Sequence, residues 1–156
     1  MIFAAGLGTR LRPLTDNMPK ALVPVAGKTM LERVILKLKD AGFHDITINI
    51  HHFGSQIIDF LRANQNFGVD IHISDERGEL LDTGGGIKKA RPLLESNEPF
   101  LIHNADILTD LDLNAFYHHH LESDADATLL TNHRKTSRYL LMDQDNRLCG
   151  WTNIST

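Results

Sequence analysis

The chain has 156 residues, 42% of them hydrophobic and 23% charged, which suits one globular domain with a core of its own. A net charge of -4 excludes a polycation built to wrap nucleic acid, so any bound anion must be met by a local set of donors. The single cysteine, Cys149, excludes an internal disulfide and points to a reducing, cytoplasmic setting.

In chain order, Met-Ile-Phe-Ala-Ala-Gly has no basic lead, and its apolar run is too short for a signal peptide or a membrane span. Residues 2–5 read instead as a strand covered on both faces. Residues 30–41 carry Leu31, Val34, Ile35 and Leu38 at helical spacing, with Thr29 and Glu32 as a capping box and Gly42 as the stop. Residues 46–50 are β-branched and strand-like. Ser55 is placed to cap a helix bearing Ile57, Ile58, Phe60 and Leu61. Val69, Ile71 and Ile73 alternate with polar residues, as on a half-exposed or edge strand. Ile87, Ala90, Leu93 and Leu94 mark a third helix, bent or ended by Pro92. Residues 100–103 form a short apolar strand, Leu113, Phe116, Tyr117 and Leu121 a fourth helix, and residues 127–130 a further strand. Residues 139–142 and Leu148, divided by Asp143-Gln144-Asp145-Asn146, read as a hairpin.

Strands alternating with helices imply an α/β fold, a Rossmann-like, doubly wound, mainly parallel sheet. Ligands of such sheets bind beyond the carboxyl ends of the strands, so the chemistry is to be sought in the loops that follow them. Both ends look cut, and the C-terminal stretch ending in Trp151-Thr152-Asn153-Ile154-Ser155-Thr156 suggests a fragment truncated on that side.

The loop after the first strand reads Ala5-Gly6-Leu7-Gly8-Thr9-Arg10-Leu11-Arg12-Pro13-Leu14-Thr15 and continues to Pro19-Lys20-Ala21-Leu22. Two glycines one residue apart let backbone N–H groups approach an anion. Thr9 adds a hydroxyl, and Arg10, Arg12 and Lys20 add positive charge. A nucleoside triphosphate needs this combination, because charge on the departing pyrophosphate must be neutralised. A tight turn would also use such glycines, but not with three cations around them. A dinucleotide fingerprint fails because Leu11 stands where its third glycine belongs, and Asn49, Ile50 and His51 offer no acidic residue at the end of the second strand. Gly27-Lys28-Thr29 imitates the end of a Walker A loop, but Leu22 occupies the position of its first glycine.

The same loop, through Leu22-Val23-Pro24-Val25-Ala26-Gly27-Lys28 and on to the Asp106 region, resembles that of the sugar-1-phosphate nucleotidyltransferases, or nucleoside-diphosphate-sugar pyrophosphorylases. Within that family, Leu81-Asp82-Thr83-Gly84-Gly85-Gly86-Ile87 and His52-Phe53-Gly54 look most like N-acetylmuramate-1-phosphate uridylyltransferase-like members, followed by mannose-1-phosphate guanylyltransferase-like ones. The resemblance implies the nucleotide-diphospho-sugar transferase fold, with residues 1–156 as the N-terminal, nucleotide-binding portion of a nucleotidyltransferase domain. It also implies that the sugar-binding portion and a second metal-binding carboxylate lie beyond this chain. Base and sugar stay open.

Asn104-Ala105-Asp106 follows a strand, where a carboxylate suits Mg²⁺ bridging triphosphate oxygens, and the resemblance gives Asp106 that metal role; a turn cap is its alternative. Asp110-Leu111-Asp112 spells the DxD of GT-A glycosyltransferases, although Asp112 equally suits a cap for the Leu113 helix. Thr83, Gly84 and Gly85 open a helix suited to close packing of ribose or base, or to a tight helix crossing, with Asp82 near enough to accept from a hydroxyl. His51 and His52 are expected at the edge of the cleft. His118, His119 and His120 diverge around a helix and suit a solvated face. Cys149 has no base beside it.

The reaction these residues suit is in-line attack of a sugar-1-phosphate oxygen on the α-phosphorus of a nucleoside triphosphate. The nucleophile is already anionic, so positioning and charge stabilisation suffice. Ala5, Gly6, Gly8, Thr9 and Arg10 are assigned to the triphosphate, Arg10 and Lys20 to catalysis, and Asp82 with Thr83 to Gly85 to the nucleoside. Asp106 is assigned to Mg²⁺. The partners are then a nucleoside triphosphate and a sugar-1-phosphate, without nucleic acid or membrane. A nucleotide-sugar-binding regulatory subunit without turnover and a GT-A glycosyltransferase using Asp110 and Asp112 are the rival readings.

Overall fold

The structure is a computed structural model that describes residues 1–155. It divides into two units, Met1–Asp124 and Ala125–Thr156.

The first unit is built on a parallel four-stranded sheet in the order β5-β4-β1-β6, with β1 at Ile2–Phe3, β4 at Asp45–Ile50, β5 at Asp70–Asp75 and β6 at His103–Asn104. A short antiparallel pair, β2 at Pro24–Val25 and β3 at Lys28–Thr29, lies between β1 and the first helix. The helices are α1 at Met30–Asp40, α2 at Gly54–Ala63, α3 at Asp82–Leu94 and α4 at Leu113–Leu121. Because strand side chains alternate between faces, Ile46, Ile48 and Ile50 share one face with Ile2 and Ala4. They pack there against Leu31, Val34, Ile35 and Leu38 of α1 and Ile57 and Leu61 of α2. Phe3, Thr47, Asn49 and Ser74 belong to the opposite face, which α3 covers. Gly86 of α3 lies so close to it that a Cβ would come within 2.9 Å of Glu76 Oε1 and 3.2 Å of Asn49 Nδ2. The chain thus winds from β1 toward β5 on one side and returns to β6 on the other, placing the switch point of the sheet between β1 and β6.

Local signals explain most of the elements. Thr29 Oγ1 accepts from the Glu32 N–H at 3.1 Å and starts α1, while Gly42, at φ 87°, supplies the left-handed residue after its end. Val69, Ile71 and Ile73 fall on or beside β5, an edge strand, as their alternation predicts.

Three expectations are corrected. Ser55 does not cap α2, which begins at Gly54 behind Phe53 at φ 55°; the Ser55 hydroxyl instead accepts from Arg77 Nη1 at 3.1 Å. The strand expected at residues 100–103 is reduced to His103–Asn104, the two residues that pair with Ile2 and Phe3 of β1, while the Met1 amino group donates to Leu101 O at 2.6 Å. Residues 127–130 join no sheet, and Leu129 and Leu130 are exposed. An apolar run becomes a strand only beside a free edge.

The second unit contains the hairpin of β7 at Arg138–Met142 and β8 at Leu148–Asn153, with a register shift between Leu141 and Met142. Among the described residues no helix is long and apolar enough to cross a membrane.

Candidate nucleotide-binding cleft

A cleft of about 380 Å³ opens at the carboxyl ends of β1 and β6, within the first unit. Of the residues singled out by sequence, Ala5, Gly6, Gly8, Thr9, Arg10, Lys20, Asp82, Thr83 and Asp106 line it. They come from three loops that chain order separates widely and the parallel sheet collects at its switch point.

The loop after β1 takes its shape from Gly8. Its φ of 68° is left-handed, and a Cβ there would lie 3.0 Å from Thr15 Cγ2 and 3.1 Å from Lys20 Cβ. The Gly8 carbonyl accepts from the Leu11 N–H at 2.9 Å and from the buried Thr15 hydroxyl at 2.8 Å, closing the 3-10 turn Thr9–Leu11. A Cβ at Gly6 would touch no protein atom, so glycine there leaves the wall of the cleft open to a ligand. A second 3-10 turn, Lys20–Leu22, closes as the Leu22 N–H donates to Pro19 O at 2.9 Å and presents Lys20 to the cleft.

Asp106 follows β6 directly, since the Ala105 N–H still donates to Phe3 O at 3.0 Å. Its Oδ2 accepts from Lys20 Nζ, so the two loops meet through opposite charges. On the other wall Asp82 begins α3 at φ 54°, a left-handed conformation that Asp tolerates better than most residues. No side chain caps α3, so its first N–H groups stay available at the cleft.

Other expected residues lie elsewhere. Gly84 and Gly85 do not line the cleft; a Cβ at Gly85 would meet Leu81 Cβ at 2.9 Å, and Gly86 makes the close crossing over the sheet. In this triplet the packing role is visible at Gly85 and Gly86. Arg12 pairs with Asp16 at 3.5 Å, both exposed, and is not part of the lining. His51 and His52 do not reach the cleft either: His51 Nδ1 lies 2.6 Å from Glu76 O, and His52 packs on Phe53 with ring centroids 4.0 Å apart. Asp112 caps α4, accepting from the Ala115 N–H at 3.0 Å, and with Asp110 it borders a different hollow beside Lys28, Arg33 and Lys37. The DxD therefore stands apart from the Gly6 loop. His118 and His119 are exposed on α4, as expected of a solvated face.

Asn49 and Glu76 also line the cleft, and sequence reasoning missed both. An Asn inside an Ile-rich strand was the available signal, because a buried amide must find partners. Beside Glu76, Asp75 is held down to about 2 by hydrogen bonds from Arg77, whose Nη2 lies 2.5 Å from Asp75 Oδ2.

Three carboxylate residues line the cleft, Glu76, Asp82 and Asp106, but among the described residues no group of three or more His, Cys, Asp or Glu could hold a metal ion. Such a donor set suits a hard cation that draws its other ligands from phosphate and water, and does not suit a soft metal in a protein cage.

A parallel, doubly wound sheet with a glycine-rich cationic loop at its switch point is the arrangement on which α/β domains hold phosphate-bearing ligands. The family model for nucleotidyl transferases matches residues 1–149, and the chain belongs to that family. It is 48% identical over 117 residues to the N-acetylmuramate alpha-1-phosphate uridylyltransferase of Neisseria meningitidis, covering 75% of this chain and 50% of that protein. It is also 39% identical over 125 residues to the mannose-1-phosphate guanyltransferase of Gibberella zeae, covering 77% of this chain and 34% of the relative. A crystal structure of HddC from Yersinia pseudotuberculosis complexed with GMP-PN superposes with a TM-score of 0.77 at 28% identity, covering 97% of this chain and 67% of that one. The chain spans about half the length of the curated uridylyltransferases it matches.

Proposed function

We propose that this chain is the nucleotide-binding part of a sugar-1-phosphate nucleotidyltransferase that joins a nucleoside triphosphate to a sugar-1-phosphate and releases pyrophosphate. The observation that carries the reading is the convergence of Gly6, Gly8, Thr9, Arg10, Lys20 and Asp106 on one cleft at the switch point of the sheet. The 48% and 45% identities to two N-acetylmuramate alpha-1-phosphate uridylyltransferases favour UTP as the nucleotide and an N-acetylated sugar phosphate as its partner.

In this reading the N–H groups of residues 5–9 and the Thr9 hydroxyl bind the triphosphate. Arg10 neutralises charge that grows on the departing pyrophosphate. Lys20 turns from Asp106 to the α-phosphate or the incoming sugar phosphate, and holds the two reactants at attacking distance. No side chain needs to remove a proton, because the attacking phosphate oxygen is already anionic. Asp82 and Thr83, with the first N–H groups of α3, face the nucleoside. Asp106 would hold Mg²⁺, which supplies charge neutralisation at the phosphates when bound. A nucleotide substrate together with the lone exposed Cys149 supports a cytoplasmic setting.

The test is a thermal-shift comparison of UTP, GTP, CTP and dTTP with and without Mg²⁺, followed by a pyrophosphate-release assay with each sugar-1-phosphate. UTP with Mg²⁺ is expected to give the largest rise in Tm. No rise with any of the four overturns the reading. Binding without pyrophosphate release from a chain extended to the length of its relatives favours a regulatory subunit.

A further inference from the structure

Two buried hydrogen bonds run beneath the loop after β1, on the face that carries α3. The Ala4 N–H donates to Asn49 Oδ1 at 2.8 Å, and Asn49 Nδ2 donates to Glu76 Oε1 at 2.8 Å. A backbone N–H only donates, so the Asn49 carbonyl must face Ala4 and its NH₂ must face Glu76, which accepts. The Asn49 amide meets both needs, accepting through its oxygen and donating through its nitrogen. Asn49 is 2% exposed and Glu76 fully buried, so water cannot replace either bond.

The far end of this relay is rigid. The Glu76 N–H donates to Ile50 O at 2.8 Å, and the Glu76 carbonyl accepts from the Glu79 N–H at 3.0 Å. Gly86 sits directly on the pair, where any side chain would collide with Glu76 Oε1. The relay therefore ties the start of the Gly6 loop to the ends of β4 and β5 and to the first turns of α3.

Stability alone does not explain a carboxylate at this position. Among the described residues Glu76 Oε2 has no hydrogen-bond partner, and a buried carboxylate oxygen without a donor is costly where an apolar side chain of similar size would not be. Local choices that cost stability cluster at functional positions.

We propose that Asn49 and Glu76 are positioning residues for the triphosphate loop. Glu76 orients the Asn49 amide, and Asn49 in turn fixes the Ala4 N–H and with it the height of the Ala5 and Gly6 backbone at the cleft wall. The proposal rests on the nucleotide-binding reading for its affinity readout only.

The experiment compares Glu76→Gln, Glu76→Met and Asn49→Ala with the unaltered chain by three measurements: Tm, hydrogen exchange at the Ala4 amide, and affinity for UTP with Mg²⁺. Glu76→Gln keeps an acceptor for Asn49 and should match the unaltered chain in exchange and affinity. Glu76→Met should have an equal or higher Tm, yet exchange the Ala4 amide at least tenfold faster and bind UTP at least tenfold more weakly. Asn49→Ala should lose the same Ala4 protection. A mere packing role would instead move Tm and affinity together. Unchanged Ala4 exchange in Glu76→Met and Asn49→Ala overturns the proposal, and so does failure of both to fold while Glu76→Gln folds. If the unaltered chain binds no UTP, the nucleotide reading fails while the exchange measurement still decides the positioning role.

Discussion

Lys20 Nζ donates to the Asp106 carboxylate across the cleft and ties the loop after β1 to the loop after β6. The side chains are 28% and 37% exposed, so the pair contributes no more than about 1 kcal/mol to folding. On the proposed function, its importance is to the ligand. A triphosphate offers Lys20 a stronger anion and leaves Asp106 free for a cation.

Asp106→Asn should accordingly fold with a Tm within a few degrees of the unaltered chain, while UTP affinity stops depending on Mg²⁺. An amide oxygen is a poorer Mg²⁺ ligand than a carboxylate. Titrations of UTP with and without Mg²⁺ check this, with Asp110→Asn as the control, since Asp110 borders the other hollow. Greater damage from Asp110→Asn would shift the metal role to the DxD.

Arg10 is exposed and lines the cleft directly after Gly8 and Thr9. Arg10→Ala removes a charge-assisted phosphate contact and should weaken UTP binding at least tenfold, or about 1.4 kcal/mol. Tm without nucleotide should not change. Calorimetric titration measures the first quantity and thermal denaturation the second.

Gly8→Ala should act on both folding and binding. A left-handed φ costs an alanine about 1 kcal/mol or more, and the new Cβ presses on Thr15 and Lys20 at 3.0 and 3.1 Å. At about 2–4 °C per kcal/mol for a domain of this size, Tm should fall by several degrees, with weaker UTP binding. Gly6→Ala meets no protein atom and should leave Tm unchanged while still weakening UTP binding.

His103 gives a pH dependence. Burial lowers its pKa below 6.5, and nearby Lys37 and the N-terminal ammonium add to that, against opposing effects of the Asn104 carbonyl and Asp106. The folded chain then holds fewer protons than the unfolded one around pH 6, so this contribution to stability is full above pH 6.5 and is lost as pH falls toward the folded pKa. Denaturant melts between pH 7.5 and 5.5 should show the decline, and His103→Gln should flatten it. An NMR titration of His103 with a midpoint above 6.5 would contradict the assignment.

The parts of this site that could be read in sequence are those whose chemistry is local. Two glycines with Arg10 and Lys20 announce an anion site in one short window, and Thr29 and Gly42 mark the ends of α1 by their own backbone requirements. The Asn49–Glu76 relay was hidden because Asn49 stands in β4 and Glu76 just beyond β5, where Asp75-Glu76-Arg77-Gly78 reads like an exposed polar turn. Asp75 and Arg77 do behave that way, whereas Glu76 points inward between them. The roles of Gly84, Gly85 and Gly86 could not be separated along the chain, since only the packing of α3 on the sheet tells a crossing glycine from one that faces a ligand. The strand expected at residues 127–130 failed for a related reason, because β propensity does not supply a partner edge.

On the proposed function, the cleft between β1 and β6 binds a nucleoside triphosphate through the Gly6 loop. Isothermal titration of the chain with UTP and Mg²⁺, repeated on the double variant Arg10→Ala/Lys20→Ala, tests it most directly. Saturable one-to-one binding is expected, weakened at least a hundredfold in the double variant while its Tm is kept. Binding of equal strength in the double variant, or no binding of UTP, GTP, CTP or dTTP by the unaltered chain, would contradict it.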